Sequence, residues 1–133
     1  MRKILIVEDE IILSEMYKME FTHRNFEVFV AQDGEAAMNI ARNRRPDFIL
    51  LDIMLPMVDG IALFKKFLED SEIRSIPVGF LSALGKDIAE FVGHDKEILS
   101  KAAFFMQKEK YTPKEVAEEV EKNIIIKEGT SYK

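Results

Sequence analysis

Residues 48–56 read Phe-Ile-Leu-Leu-Asp-Ile-Met-Leu-Pro, and they place one carboxylate, Asp52, directly after four apolar residues. A short apolar run of this kind is typical of a buried strand, and a charge at its end is unfavourable unless something compensates it. A second run, Lys3–Val7, is followed by the acids Glu8 and Asp9. If the two strands are parallel neighbours, three carboxylates converge at one edge of one sheet.

Five such apolar runs alternate with longer amphipathic stretches. The predicted strands are Lys3–Val7, Glu27–Val30, Asp47–Leu51, Ile76–Leu81 and Ala103–Met106. Strict alternation predicts an α/β fold, a doubly wound five-stranded parallel sheet with helices on both faces. Right-handed crossovers leave few topologies, and strand order 2-1-3-4-5 puts strands 1 and 3 side by side with a ligand crevice at their carboxyl ends.

Five helices are expected between and after these strands. Apolar residues recur with a helical period from Ile11 to His23, and Asn25 offers a left-handed stop. Asp33 is a predicted N-cap, and its helix should end before Pro46. Asp59-Gly60 opens a third helix with Ile61, Phe64 and Leu68 facing inward. Asp87 caps a fourth helix, and Pro113 suits the first turn of a fifth that carries Val116, Val120 and Ile124.

The composition indicates one soluble domain. The chain has 133 residues, 47% of them hydrophobic, and no cysteine, which excludes disulfides and thiolate metal sites. The net charge of −5 argues against direct nucleic-acid binding by this domain. No apolar stretch approaches the ~20 residues of a membrane span, and nothing resembles a signal peptide, so a cytoplasmic location is expected. The expected domain is 1–127, with a polar C-terminal tail at 128–133.

The acids point to metal and phosphoryl chemistry when they are taken together with Lys108, which follows the run at 102–106. Three carboxylates and one ammonium sum to a local charge of about −2, which suits a hard divalent cation. Oxygen ligands without cysteine or a nearby histidine favour Mg²⁺. A carboxylate beside that ion stays ionised, so Asp52 could attack a phosphoryl group and form an aspartyl phosphate.

Each of these residues also has an ordinary structural explanation. Glu8 and Asp9 could cap a helix, Ser82 could be a cap or loop serine, and Phe105 could be core. The cluster Arg42, Arg44 and Arg45 fits a solvated helix end, and His23 and His94 fit the surface. The convergence of three acids with a lysine at one sheet edge favours the functional interpretation for the acid cluster.

Several segments resemble the receiver domain of two-component response regulators, over essentially the whole chain. The resemblance is carried by Ile4–Glu10, Ala31–Ala36, the phosphoacceptor segment Asp47–Gly60, Pro77–Ala83 and Ala102–Lys108. It implies a flavodoxin-like (βα)5 fold, and a protein of phosphorelay signalling that switches conformation to control a partner. It implies no enzyme in the ordinary sense, since such a domain catalyses only its own phosphorylation and dephosphorylation.

The resemblance also implies roles for individual residues. Asp52 is the phosphoacceptor, and Glu8, Asp9, Asp52 and the backbone carbonyl of Met54 hold Mg²⁺. Ser82 and Lys108 bind the phosphoryl oxygens, and Ser82 and Phe105 form the switch. The implied partners are a sensor histidine kinase or a phosphotransfer protein, and a downstream protein or second copy on the face of the fourth helix, fifth strand and fifth helix. Neither nucleic acid nor membrane is expected.

Three features depart from the pattern of that family. Glu109 follows Lys108 where proline is usual, so a trans peptide bond is expected there. The segment from Ser82 to Lys108 is longer than usual and contains Gly93-His94-Asp95, which could break the fourth helix. Lys101 stands where glycine is common. All three lie on the face that usually transmits the signal.

Two other functions remain open from the sequence. One is a receiver-like interaction module that works without phosphorylation. Missing acids or a missing lysine would favour it, and neither is missing. The other is a phosphatase similar to the haloacid dehalogenase-like enzymes, but these need a second acid two residues after the nucleophile, where Met54 stands.

Overall fold

The computed structural model of the chain describes residues 1–53, 59–82 and 96–131. Its parallel strands are β1 (Lys3–Val7), β2 (Glu27–Ala31), β3 (Phe48–Asp52), β4 (Val78–Ser82) and β5 (Phe104–Gln107). They form one sheet in the order β2-β1-β3-β4-β5, which confirms the predicted topology. The first strand matches its predicted bounds, and the other four differ from theirs by one or two residues.

The described helices are α1 (Ile11–His23), α2 (Gly34–Arg44), α3 (Gly60–Glu69), α4 (Lys96–Leu99) and α5 (Pro113–Ser131). The helix expected at Asp87 and the break expected at Gly93-His94-Asp95 lie outside the described residues. The last helix continues to Ser131, so the polar segment 128–133 begins inside it. Within the described ranges, no helix is both long enough and apolar enough to cross a membrane.

Local hydrogen bonds explain where the helices begin and end. Asp33 Oδ1 accepts from Ala36 N at 2.9 Å, which confirms the predicted N-cap, and Asp59 Oδ1 accepts from Ala62 N at 2.6 Å at the predicted start of the third helix. Asn25 has a left-handed φ of 68° after α1. Arg45, which was not expected to do so, adopts φ 48° and stops α2 just before Pro46.

Two apolar layers cover the sheet, because successive residues of a strand point to opposite faces. Ile49, Leu51 and Phe80 pack on one face with the α3 residues Ile61 and Phe64. On the other face, strand residues meet residues of α1 and α5, and this layer includes Ile6, Leu50, Met106, Tyr17 and Val120. Leu68, which was expected to face inward, is only partly buried. The predicted buried positions Val116, Val120 and Ile124 of α5 are confirmed.

The contact between β4 and β5 depends on a glycine. Gly79 pairs with Phe104 across the two strands, and a Cβ at position 79 would collide with the Phe104 ring. That ring also stacks on Phe48, with centroids 5.6 Å apart. The absence of a side chain at Gly79 therefore makes room for the large Phe104 ring of the neighbouring strand.

Candidate functional site

The parallel register brings the three acids together. Val7 pairs with Leu51, so the residues that follow them, Glu8 and Asp52, lie at the same level of the sheet. Glu8, Asp9 and Asp52 each offer a carboxylate oxygen, and these oxygens lie within 4.8 Å of one another. Asp9 is exposed, whereas Glu8 and Asp52 are buried. The convergence expected from the sequence is present in the fold.

Lys108 lies between the two buried carboxylates. Its Nζ is 2.6 Å from Glu8 Oε1 and 2.9 Å from Asp52 Oδ2. The backbone fixes its position, because Ser82 pairs with Gln107 and the N–H of Lys108 donates to the Ser82 carbonyl at 2.8 Å. No peptide bond among the described residues is cis, which confirms the trans bond expected before Glu109.

Burial changes the proton affinity of Glu8. The side chain is almost fully buried, and this burial raises its pKa from 4.5 to about 7. Lys108 counteracts the rise, and the charge on Asp52 adds to it. Burial also disfavours the charged form of Lys108, but Glu8 and Asp52 outweigh that effect and raise the pKa of the lysine. Each charge in this cluster therefore depends on the others.

One atom of the cluster has unused bonding capacity. Glu8 Oε2 accepts a hydrogen bond from Glu10 N at 3.2 Å. Glu8 Oε1 is buried and lies 2.6 Å from the Lys108 ammonium, which leaves room for a further ligand because a carboxylate oxygen has two lone pairs. Buried carboxylate oxygens beside a third, exposed carboxylate fit a divalent cation with oxygen ligands. The Met54 carbonyl, the fourth expected ligand, lies outside the described residues.

The position of Asp52 depends on a close approach of α3. Gly60 N donates to the Ile53 carbonyl at 2.7 Å, and a Cβ at Gly60 would collide with the Asp52 carbonyl oxygen and Ile53 Cα. Only glycine therefore lets the helix begin so close to the end of β3. Sequence reasoning took Asp59-Gly60 as a helix start and missed this second role.

Ser82 and Phe105 occupy the same face of the sheet. Phe80 pairs with Phe105, and Ser82 follows Phe80 by two residues. Ser82 is buried, whereas Phe105 is 38% exposed. The Phe105 ring stacks on Phe80 at 5.2 Å, and Phe80 meets Phe64 edge to face at 5.3 Å. A continuous aromatic contact thus joins α3 to the surface at β5, beside the serine.

The three arginines at the end of α2 all contact other residues of the protein. Arg42 Nε is 2.9 Å from Asp70 Oδ2, and Arg45 Nη2 is 3.3 Å from Glu72 Oε2. The guanidinium of Arg44 lies over the Phe29 ring at 5.5 Å. These contacts support the interpretation as a helix end and do not favour a nucleic-acid site. His23 is exposed as expected, and His94 lies outside the described residues.

Comparisons with known proteins agree with this geometry. Residues 4–102 match the model of the response regulator receiver domain. The phosphate regulon transcriptional regulatory protein PhoB of Escherichia coli is 40% identical over 86 residues, which are 65% of this chain and 38% of that protein. A putative response regulator from Chloroflexus aurantiacus superposes with a TM-score of 0.79 at 29% identity, covering 94% of this chain and 98% of the other.

A third similar structure is the non-phosphorylated HemR receiver domain of Leptospira biflexa, with a TM-score of 0.77 at 27% identity and coverage of 93% and 94%. The chain spans between 33% and 42% of the length of other curated relatives, so those proteins contain regions that this chain does not match. With the family model matching most of the chain, the protein belongs to the response regulator receiver family of two-component signalling.

Proposed function

We propose that Asp52 accepts a phosphoryl group from the phosphohistidine of a sensor histidine kinase or phosphotransfer protein, in a reaction that requires Mg²⁺. The observation that carries this proposal is the contact of Lys108 with both Glu8 and Asp52, beside the exposed Asp9. Such a cluster of opposite charges at a sheet edge is expensive to bury without a function.

In the proposed step, an Asp52 carboxylate oxygen attacks the phosphorus of the donor. The new bond is P–O, and the P–N bond to the histidine ring breaks with its electron pair leaving on the ring nitrogen. Glu8, Asp9, Asp52 and the Met54 carbonyl would hold Mg²⁺, which supplies charge neutralisation for the transferred oxygens. Lys108 then contacts a phosphoryl oxygen in place of its present contacts with Glu8 and Asp52, and the Ser82 hydroxyl donates to another phosphoryl oxygen.

The expected consequence is a switch on the face formed by β5, α5 and the fourth helix expected from the sequence at Asp87. Movement of the Ser82 hydroxyl toward the phosphoryl group frees space on the face of the sheet that Phe105 shares, and Phe105 rotates inward. The exposed, stacked ring is the starting state of that change. The downstream partner is a protein or a second copy of the chain that binds this face. We place the reaction in the cytoplasm.

The proposed activity is self-modification of the domain, with no turnover of a separate substrate. A receiver-like module without phosphorylation is not favoured, because the acids, the serine and the lysine are all present at one edge.

Intact mass after incubation with acetyl phosphate and Mg²⁺ tests the phosphoacceptor. We expect the mass of one phosphoryl group on the wild type and none on Asp52→Asn. Asp47→Asn is the matched control, because Asp47 precedes the same strand at the opposite edge, where its Oδ2 accepts from Lys3 N at 2.8 Å. Equal labelling of wild type and Asp52→Asn would contradict the assignment.

The switch is tested separately with beryllofluoride, a mimic of the phosphoryl group. We expect changed amide exchange across residues 83–108 and, if the partner is a second copy, a larger mass in sedimentation. Unchanged exchange and unchanged mass would leave the phosphorylation site intact and reject the switch.

A further inference from the structure

Tyr17 is a buried phenol that the proposed reaction does not use. It lies on the inner face of α1, with Ser14 and Phe21, and only 1% of it is exposed. It belongs to the same packed layer as several strand residues, and three of them, Ile6, Leu50 and Met106, bear on its role. The question is what a polar aromatic residue does at the centre of an apolar layer.

These three strand residues connect the layer to the charged cluster at the sheet edge. Each of them precedes a residue of the charged cluster by two positions, in the pairs Ile6 and Glu8, Leu50 and Asp52, and Met106 and Lys108. Because strand side chains repeat every second residue, the charged side chains continue the face of the sheet that α1 covers. The underside of the cluster is therefore the layer that contains Tyr17.

Helix geometry directs the phenol toward the cluster. Side chains of a helix lean toward its N-terminus, and α1 begins at Ile11, three residues after Glu8. Consistent with this placement, the Tyr17 phenol interacts electrostatically with Lys108, Glu8 and Asp52. Burial raises the pKa of Tyr17 to about 12, so the phenol stays neutral at any physiological pH.

We propose that Tyr17 is a positioning residue whose ring closes the underside of the charged cluster against water and holds the Lys108 ammonium between Glu8 and Asp52. The role of that ammonium in phosphoryl transfer rests on the function proposed above. The ring acts by excluding water, because ion pairs weaken as the surrounding dielectric rises. The hydroxyl, which is neutral, is not required.

Three variants separate this role from ordinary packing. Tyr17→Phe keeps the ring and removes the hydroxyl, whereas Tyr17→Leu keeps an apolar side chain and removes the ring. Phe21→Leu is the matched control, since Phe21 is fully buried on the same face of α1, one turn farther from the cluster. Tyr17→Met is a second ring-free variant if Tyr17→Leu does not fold, because methionine fills irregular gaps.

The first measurement is solvent exchange of the Lys108 ammonium protons, followed by ¹⁵N NMR in the metal-free protein. We expect slow exchange in the wild type, Tyr17→Phe and Phe21→Leu. Exchange should be at least about tenfold faster in Tyr17→Leu or Tyr17→Met, because water then reaches the ammonium from below. Equal exchange in Tyr17→Leu and Phe21→Leu would overturn the proposal, and so would fast exchange in Tyr17→Phe.

The second measurement is the labelling rate with acetyl phosphate at saturating Mg²⁺. Tyr17→Leu should lower the maximal rate by about tenfold, through misplacement of Lys108, while Phe21→Leu leaves it near that of the wild type. Equal rates in all variants would overturn the role in transfer. If the wild type itself takes no label, the proposed function fails, and the ammonium exchange still decides whether Tyr17 positions the lysine.

Discussion

Two clusters in the molecule contain the same charges, one cation and three carboxylates, and differ in their access to water. Lys108 lies with Glu8, Asp52 and Asp9 at the sheet edge. The second cluster joins α1 to α5, where Arg24 contacts a set of three acids, namely Glu20 at 2.8 Å, Glu118 at 4.0 Å and Glu121.

Burial separates the two clusters. The side chains of Lys108, Glu8 and Asp52 are 9%, 0% and 4% exposed, whereas those of Arg24, Glu20 and Glu121 are 19%, 24% and 28% exposed. Water screens the second cluster, which serves to connect two helices. In the first cluster, burial raises the pKa of Glu8 to about 7, and the Lys108 ammonium lies 2.6 Å from Glu8 and 2.9 Å from Asp52. The comparison teaches that burial, and not the number of charges, makes this cluster suited to chemistry.

The largest expected effect comes from removing the buried cation. Lys108→Met leaves Glu8 and Asp52 buried without a counter-charge, which should lower the free energy of unfolding by about 3 kcal/mol at pH 8 without metal. The loss should be smaller at pH 6, because Glu8 then takes up a proton. Urea unfolding in chelator measures both values. Lys122→Met is the control, since Lys122 is 70% exposed and 3.8 Å from Glu119. Similar losses in the two variants would mean that burial does not determine the cost of removing the cation.

Neutralising the buried acid Glu8 should raise the free energy of unfolding, and the gain should depend on pH. The folded protein holds the Glu8 proton more tightly than the unfolded chain does. The stability that Glu8 contributes is therefore fully present below pH 4.5 and is lost as the pH rises through about 7. Glu8→Gln escapes this loss, so its advantage over the wild type should grow to roughly 1–3 kcal/mol at pH 8. Thermal unfolding from pH 5 to pH 8 measures the difference, with Glu20→Gln as the surface control. A constant difference between Glu8→Gln and wild type would be evidence against a strained carboxyl group.

Binding of Mg²⁺ to the cluster at the sheet edge should change the free energy of unfolding by a smaller amount. At a concentration about ten times its dissociation constant, Mg²⁺ should stabilise the wild type by about 1.4 kcal/mol. It should not stabilise Asp9→Asn, which lacks one of the three oxygens. In chelator, Asp9→Asn should be no less stable than the wild type, because one of three repelling carboxylates is gone. Melting temperatures with and without Mg²⁺ decide both points, and Asp47→Asn should respond as the wild type does. A wild-type response in Asp9→Asn would reject this metal site.

The smallest effect is expected in the surface cluster. A double-mutant cycle of Arg24→Gln and Glu121→Gln should give a coupling energy of about 0.5 kcal/mol in low salt, and less in about 1 M NaCl. The pKa of Arg24 is raised by its hydrogen bond to Glu20 despite partial burial, so the guanidinium stays charged throughout the measurement. A coupling as large as that of Lys108 with Asp52, or one that salt leaves unchanged, would mean that the helix interface is not screened.

Particular residues show how far the sequence predicts this structure. Local patterns suffice for β1, α1 and the N-caps Asp33 and Asp59, because hydrophobic period and capping act over a few residues. The sequence also predicts that Glu8 and Asp52 converge, because parallel strands carry their following residues to one edge. The later start of β4 was missed. Pro77 has no N–H for the ladder, and only its carbonyl is used, accepting from Ile49 N at 3.0 Å.

The rest of the site depends on distances that only the packed fold supplies. The bridge that Lys108 makes to Glu8 requires the register of β5 against β4, and no spacing in the sequence indicates it. In the sequence, Tyr17 is only one apolar residue of a helical period. Its proximity to the charged cluster results from the packing of α1 on the sheet. Gly60 reads as a turn glycine, and its role against Asp52 appears only when α3 meets the end of β3.

The pairing of Gly79 with Phe104 has a consequence for protein engineering. Neither residue can be exchanged alone, because a side chain at 79 needs the space that the Phe104 ring fills, and loss of that ring leaves a void beside Phe48. Chimeras that graft β5 and the signalling face of another receiver onto this domain should therefore transplant β4 with it. We therefore expect β4 and β5 to be exchangeable only together, although 21 residues of chain separate Ser82 from Phe104.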